Sequence, residues 1–196
     1  MEKLKGKRQL QKEATREHIL ETAMRVYAEQ GFSVPVGVIA QEAGLAHGSV
    51  FLHFPTKEDL LNSTLERFFK GLGEKMHRLA EAGDDLETLL RGFLTVIADH
   101  EAFYKHLVME THTLPPDMKN MLVSLRSANA HHFEIAAEHG ISQGRIKKLP
   151  LHLMFNTWMA LVYYYLQNSE WFAPGQSVLK RCKDELVSFY MSLITK

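Results

Sequence analysis

Three closely spaced helix breaks, at Gly31, Gly44 and Pro55, constrain this chain more than any other feature. Before the first, Ile19, Leu20, Ala23, Val26 and Tyr27 form one apolar stripe, which predicts a helix over about 12–30. Gly31 then stands where a left-handed C-cap favours a residue without a Cβ. A second, short helix is predicted over 35–43. Pro35 suits its first position, because the missing N–H has no intrahelical partner there, and Ile39, Ala40 and Ala43 give it a buried face. Gly44 ends it. A third helix over 47–54 is anchored by Val50 and Phe54, and Pro55 stops it. Thr56 with Asp59 makes a capping-box-like pair for a fourth helix carrying Leu60, Leu61, Leu65, Phe68, Phe69 and Leu72, weakening at Gly71 and Gly73. His47, Gly48, Ser49, Leu52 and His53 are left looking outward. This layout holds one helix away from a small core so that it can enter a DNA groove.

The second half carries only helical periodicity. Asp84 or Asp85 can cap a helix bearing Leu86, Leu90, Phe93 and Ile97. A short helix over 101–111 ends at Leu114-Pro115-Pro116, and a long one over 117–139 breaks at Gly140 and Gly144. Helices over 150–168 and 177–195 complete a set of about nine. With no sustained alternation, the fold class expected is all-α.

A chain of 196 residues with 45% hydrophobic and 23% charged residues is long enough to bury a real core. Its net charge is zero, but residues 1–16 hold Lys3, Lys5, Lys7, Arg8, Lys12 and Arg16 against Glu2 and Glu13. A flexible basic arm over 1–11 suits phosphate contact, and a solvated tail would have the same composition. The single cysteine, Cys182, excludes an intramolecular disulfide framework and fits a reducing compartment. The basic N-terminus lacks the apolar stretch of a signal peptide, and residues 151–166 are too polar to span a membrane. A cytoplasmic protein with no membrane partner is expected. No nucleophile–base pair, phosphate loop or carboxylate dyad stands out, so catalysis is not expected. The eleven histidines make no helical i, i+4 ligand pair: His131 and His132 are adjacent, and His132 and His139 lie two turns apart. No metal or cofactor is expected.

The segments AEQGF and VGVIAQEAGLAHGSVFLHFPTKEDLL together resemble the signature of the tetracycline-repressor (TetR) family of bacterial transcription factors, over roughly residues 12–72. The resemblance implies a helix-turn-helix domain over 12–72, with the motif at about 35–54, and a ligand-binding and dimerisation domain over 73–196. On the DNA-binding side it implies Arg16, Pro35, Val36, His47, Gly48, Ser49, Phe51, Leu52, His53 and Lys57. Of these, His47, Ser49 and Leu52 suit base edges: a purine acceptor, either hydrogen-bonding role, and a thymine methyl. Phe51, His53 and Lys57 would follow the phosphates. Three positions depart from the family pattern. Pro35 replaces a common Thr, Ala46 a capping Ser or Thr, and Phe51 a common Tyr. Each removes a hydroxyl, and the basic arm would offset the weaker anchoring.

The resemblance also implies pairing of two subunits through the last two long helices. The eighth is apolar nearly all round, more than one core needs. Phe93, Ile97, Phe103, Tyr104, Leu107, Leu125, Asn129, His132, Trp158 and Met159 are candidates to line a ligand cavity, though the same residues suit a packed core. The function expected is a homodimeric transcriptional repressor, released from a palindromic double-stranded operator by a small, largely apolar or aromatic effector. An activator, or a ligand-independent DNA-bound interaction module, fits the same residues.

Overall fold

The computed structural model describes residues 2–81 and 85–196, with side chains from residue 6 onward. Asp84, the alternative cap, and the side chains of Glu2, Lys3 and Lys5 therefore lie outside the described residues. Helix α1 spans Glu2–Gln30, so the segment expected as an arm is instead continuous with the first helix. Its Lys, Arg, Gln, Glu and Leu residues are strong helix formers, and Gln9 donates to Glu13 one turn on at 2.8 Å. Lys7, Arg8 and Lys12 stand exposed along it.

The remaining helices are α2 (Val36–Glu42), α3 (His47–Phe51), α4 (Lys57–Glu81), α5 (Leu86–Ala98), α6 (Glu101–Met109), α7 (Pro116–Ser142), α8 (Leu151–Gln167), α9 (Ser169–Phe172) and α10 (Val178–Ile194). A single 3-10 turn, Thr111–Thr113, joins α6 to α7. Several boundaries differ from expectation, among them that of α7, which runs through Gly140 to Ser142. Pro35 is the N-cap of α2, not its first residue, and α3 ends at Phe51. α4 runs unbroken through Gly71 and Gly73, because the buried stripe Leu65, Phe68, Phe69, Leu72 and Met76 fixes it against neighbours. The expected capping box at its start is present: Asp59 N–H donates to Thr56 Oγ1 (3.0 Å) and Thr56 N–H to Asp59 Oδ2 (3.1 Å).

One contiguous apolar core joins the N-terminal head to the rest. α1 packs on α2, α4 and α6, while α10 lies along α5 and α8. Trp158 and Tyr190 meet at 5.2 Å between centroids, and the Tyr190 hydroxyl donates to the Met154 carbonyl at 2.7 Å. Within one chain α8 is buried on one face only. Met154, Phe155, Trp158, Met159, Val162 and Leu166 face the core. Leu153 and Tyr164 are 54% and 53% exposed, and on α10, which packs against α8, so are Phe189 (54%) and Leu193 (47%). No helix among the described residues is long and apolar enough to cross a membrane.

Candidate DNA-binding face and regulatory crevice

The turn between α2 and α3 depends on Gly44, whose φ of 65° favours glycine. Gly44 N–H donates to Gln41 and Leu45 N–H to Ala40, so the chain reverses without leaving α2's last carbonyls unpaired. Ala46 begins α3 with no side-chain cap. Val50 and Phe54 are buried and fix the inner face of this segment. On the outer face His47 and Gly48 are exposed, Ser49 is half-exposed, and Leu52 is 79% exposed. A large apolar side chain that free is not a core residue. A Cβ built on Gly48 meets no other atom within 4 Å, so internal packing does not demand glycine there. His47 leans edge-on against Phe51 at 4.9 Å.

Around this face the other candidates divide. The Arg16 guanidinium lies 4.9 Å over the Phe54 ring and donates to Ser63 Oγ at 3.3 Å. His53 is half-buried near Lys12 and Arg16. Burial, then those two cations, push its pKa below the ordinary histidine value, and its Nδ1 is buried without a partner. Lys57 Nζ donates to the Ser33 carbonyl at 2.7 Å, tying the loop before α2 to the start of α4. Pro35 is exposed, but the Val36 side chain is only 6% exposed and belongs to the core. The turn that exposes Pro35 rotates the next side chain inward, which leaves Val36 only its backbone to turn toward the expected DNA face. His18, not anticipated from sequence, hydrogen-bonds the Ala43 carbonyl at 3.1 Å and holds the end of α2.

The head is clasped to the rest at the C-terminus of α1. Gly31 turns the chain with φ of 80°, and Phe32 N–H donates to Glu110 Oε2 of α6's C-cap at 3.1 Å. Glu110 Oε1 pairs with His106 Nδ1 at 2.6 Å. The Phe32 ring meets Phe103 edge-on at 5.4 Å. A Cβ on Gly31 would lie 2.6 Å from Glu110 Oε1, so glycine also makes room for the carboxylate.

Of the ten candidate cavity residues, the structure gathers four. Phe93, Asn129, His132 and Trp158 line a crevice between α4, α5, α7 and α8 with Met76, Leu89 and Phe133. Its free volume is about 20 Å³, space for roughly one water. Ile97, Phe103, Tyr104, Leu107 and Met159 do not line it. They are at most 4% exposed and fill the core. Leu125 is half-buried over Gly73. Apolar residues at helical spacing fit a core and a cavity equally; here four went wholly to the core, while Phe103 also borders a larger cleft. His132 is pushed below the usual histidine range by burial, then by His131 and His77. Among the described residues no three His, Cys, Asp or Glu side chains converge on a metal position.

A far larger cleft, about 670 Å³, separates the head from the corner made by α5–α6 and α9–α10. Met24, Ala28, Ala98, Ala102 and Phe103 form its apolar part. Glu101 is committed to capping α10: it accepts from Ser177 Oγ (2.5 Å) and from the backbone N–H groups of Val178 (2.8 Å) and Leu179 (2.9 Å). That interaction satisfies helix N–H groups that otherwise lack partners.

Residues 19–64 match the family model for bacterial regulatory proteins of the tetR family. The chain is 39% identical over 61 residues to the HTH-type transcriptional regulator AcrR of Shigella flexneri (31% of this chain, 28% of that protein). It is 31% identical over 91 residues to YuxN, an HTH-type transcriptional regulator of Bacillus subtilis (46% of this chain, 31% of that protein). These two matches thus span less than a third of either relative. The HTH-type transcriptional repressor KstR2 of Rhodococcus jostii aligns over 195 residues at 24% identity, covering 93% of this chain and 90% of that one. Among solved structures, a transcriptional regulator from Saccharomonospora viridis in complex with choline superposes with a TM-score of 0.78 at 21% identity, covering 94% and 99% of the two chains. KstR2 of Mycobacterium tuberculosis does so at 0.69 and 20%, covering 92% and 95%. The all-α head with its two short helices and the family match across them lead to one conclusion: residues 19–64 form a regulatory domain of the bacterial tetR family, carried on a chain that shares the fold of such regulators along most of its length.

Proposed function

We propose that the protein is a homodimeric repressor whose α3 helices read two half-sites of a palindromic operator. The observation that carries this reading is the outer face of α3, where Leu52 is 79% exposed beside His47, Gly48 and Ser49 while Val50 and Phe54 hold the helix from behind. His47, Ser49 and Leu52 contact base edges, and Gly48 lets the backbone come close. Arg16, Pro35, Phe51 and His53 lie along the phosphates, and Lys57 positions the Ser33 loop as well as adding positive charge. Leu153 and Tyr164 of α8 with Phe189 and Leu193 of α10 form the two-fold interface, an exposed apolar surface in need of cover. An apolar or aromatic effector entering between α4, α5, α7 and α8 has to open the narrow crevice beside Asn129 and His132. Doing so shifts α4, which begins at Lys57 of the head, just after its capping residue Thr56. Duplexes selected from a random pool test the reading. The wild type enriches one palindrome and Leu52→Glu enriches none; equal enrichment by both would remove α3 as the reader.

A further inference from the structure

The crevice at the centre of the regulatory half holds about 20 Å³, whereas the cleft between head and core holds about 670 Å³, within the range that takes drug-sized ligands. We infer that this junction cleft is an effector site for an amphipathic organic anion, an apolar body carrying one carboxylate, sulfonate or similar group. The apolar body lies against Met24 and Ala28 of α1 on one side and Ala98, Ala102 and Phe103 on the other.

The charge follows from which lining groups are already matched. Arg67 pairs with Glu17 and Glu21, Arg25 with Glu42, and Asp99 with Lys75. Glu101 caps α10. His100 is engaged by the Lys75 ammonium at 3.4 Å, and burial, then Lys75, hold its pKa below the usual histidine range. Glu170 stands on the exposed rim, where water solvates it. Lys105 is different. It is half-buried, its ammonium donates to Ser169 Oγ at 2.8 Å, and no carboxylate pairs with it among the described residues. An ammonium has three donors, and covering it with an apolar body is unfavourable unless an anion meets it.

The position makes the site regulatory. One wall belongs to the DNA-binding head (α1, and Arg67 of α4) and the other to the α5–α6 and α9–α10 corner. A ligand touching both has different affinity for different head orientations, which is the condition for changing operator affinity. This consequence rests on the DNA-regulator reading above; the binding itself does not.

The test uses the full chain without DNA and anilinonaphthalene sulfonate as an aromatic anion probe, followed by fluorescence titration and calorimetry. Saturable binding is expected at one site per chain. Lys105→Gln, which keeps a donor toward Ser169, and Ala102→Trp, which fills the cleft from an exposed position, each weaken it by about tenfold or more. Lys148→Gln, an exposed cation between α7 and α8 that lines neither the cleft nor the crevice, leaves it unchanged. Binding insensitive to both cleft variants, or lost in Lys148→Gln, overturns the site. Equal binding of a cationic aromatic dye overturns the charge assignment. Adding the probe to the operator complex is a separate arm. Reduced affinity in the wild type alone supports the effector role, and unchanged affinity overturns that role while leaving DNA binding intact.

Discussion

Replacing Glu110 by alanine removes a side chain that joins the end of α1 to the end of α6. Its Oε2 accepts from Phe32 N–H at 3.1 Å and its Oε1 pairs with His106 at 2.6 Å. Phe32 is only 4% exposed, so water cannot readily replace the lost acceptor. An unsatisfied buried N–H costs about 1–3 kcal/mol. The His106 pair adds little, about 0–1 kcal/mol, because both side chains keep roughly a quarter of their surface in water. A loss of about 2 kcal/mol is therefore expected, or about 4–8 °C in Tm for a chain of this size. Glu110→Gln keeps an acceptor for Phe32 and should lose under about 1 kcal/mol. Urea titrations of both variants, with His106→Ala completing a double-mutant cycle, separate the two contributions. If Glu110→Ala proves as stable as Glu110→Gln, the Phe32 hydrogen bond does not hold the head to α6 and the reasoning fails.

Three further outcomes follow from particular surfaces. Deleting residues 1–10 removes Lys7 and Arg8 among other cations, and should lower operator affinity while flattening its dependence on salt; an unchanged slope in a filter-binding series would contradict it. Leu153→Glu combined with Phe189→Glu places charge in the exposed strip of α8 and α10 and should yield monomers by analytical ultracentrifugation; a persistent dimer would move the interface elsewhere. His53, His100 and His132 all have folded pKa values below the ordinary one, with burial the largest cause in each. The unfolded chain then binds more protons as pH falls below about 6.5, so their contribution is present above that pH and lost on acidification through the folded values. The urea midpoint should drop between pH 7.5 and 5.5, and asparagine at the three positions should shrink the drop.

What sequence made legible here was local. The Thr56–Asp59 box joins residues three apart and Gly44 has a strict backbone requirement, so both could be read without knowing the fold. The contacts that orient the head are not local. Lys57 reaches the carbonyl of Ser33 across 24 residues, and Glu110 meets Phe32 across 78. Only chain folding brings such pairs together, so no spacing rule announces them. The burial of the Val36 side chain was not legible either, because a one-residue step from the exposed Pro35 into α2 decides which way it points. The cavity candidates were ambiguous for another reason. Phe103 and Tyr104 satisfy the same apolar periodicity in a filled core as in a ligand pocket, and helix-against-helix packing decides between them. The junction cleft was invisible from sequence, since its walls come from α1, α4, α5, α6 and the α9–α10 corner.

The central claim, that two α3 helices read two half-sites together, is tested most directly on the selected operator. Inserting about five base pairs between the half-sites turns them to opposite faces of the duplex. The affinity of the wild-type chain should then fall by at least about tenfold, to that of a single half-site. Unchanged affinity for the lengthened duplex would contradict paired reading by a dimer.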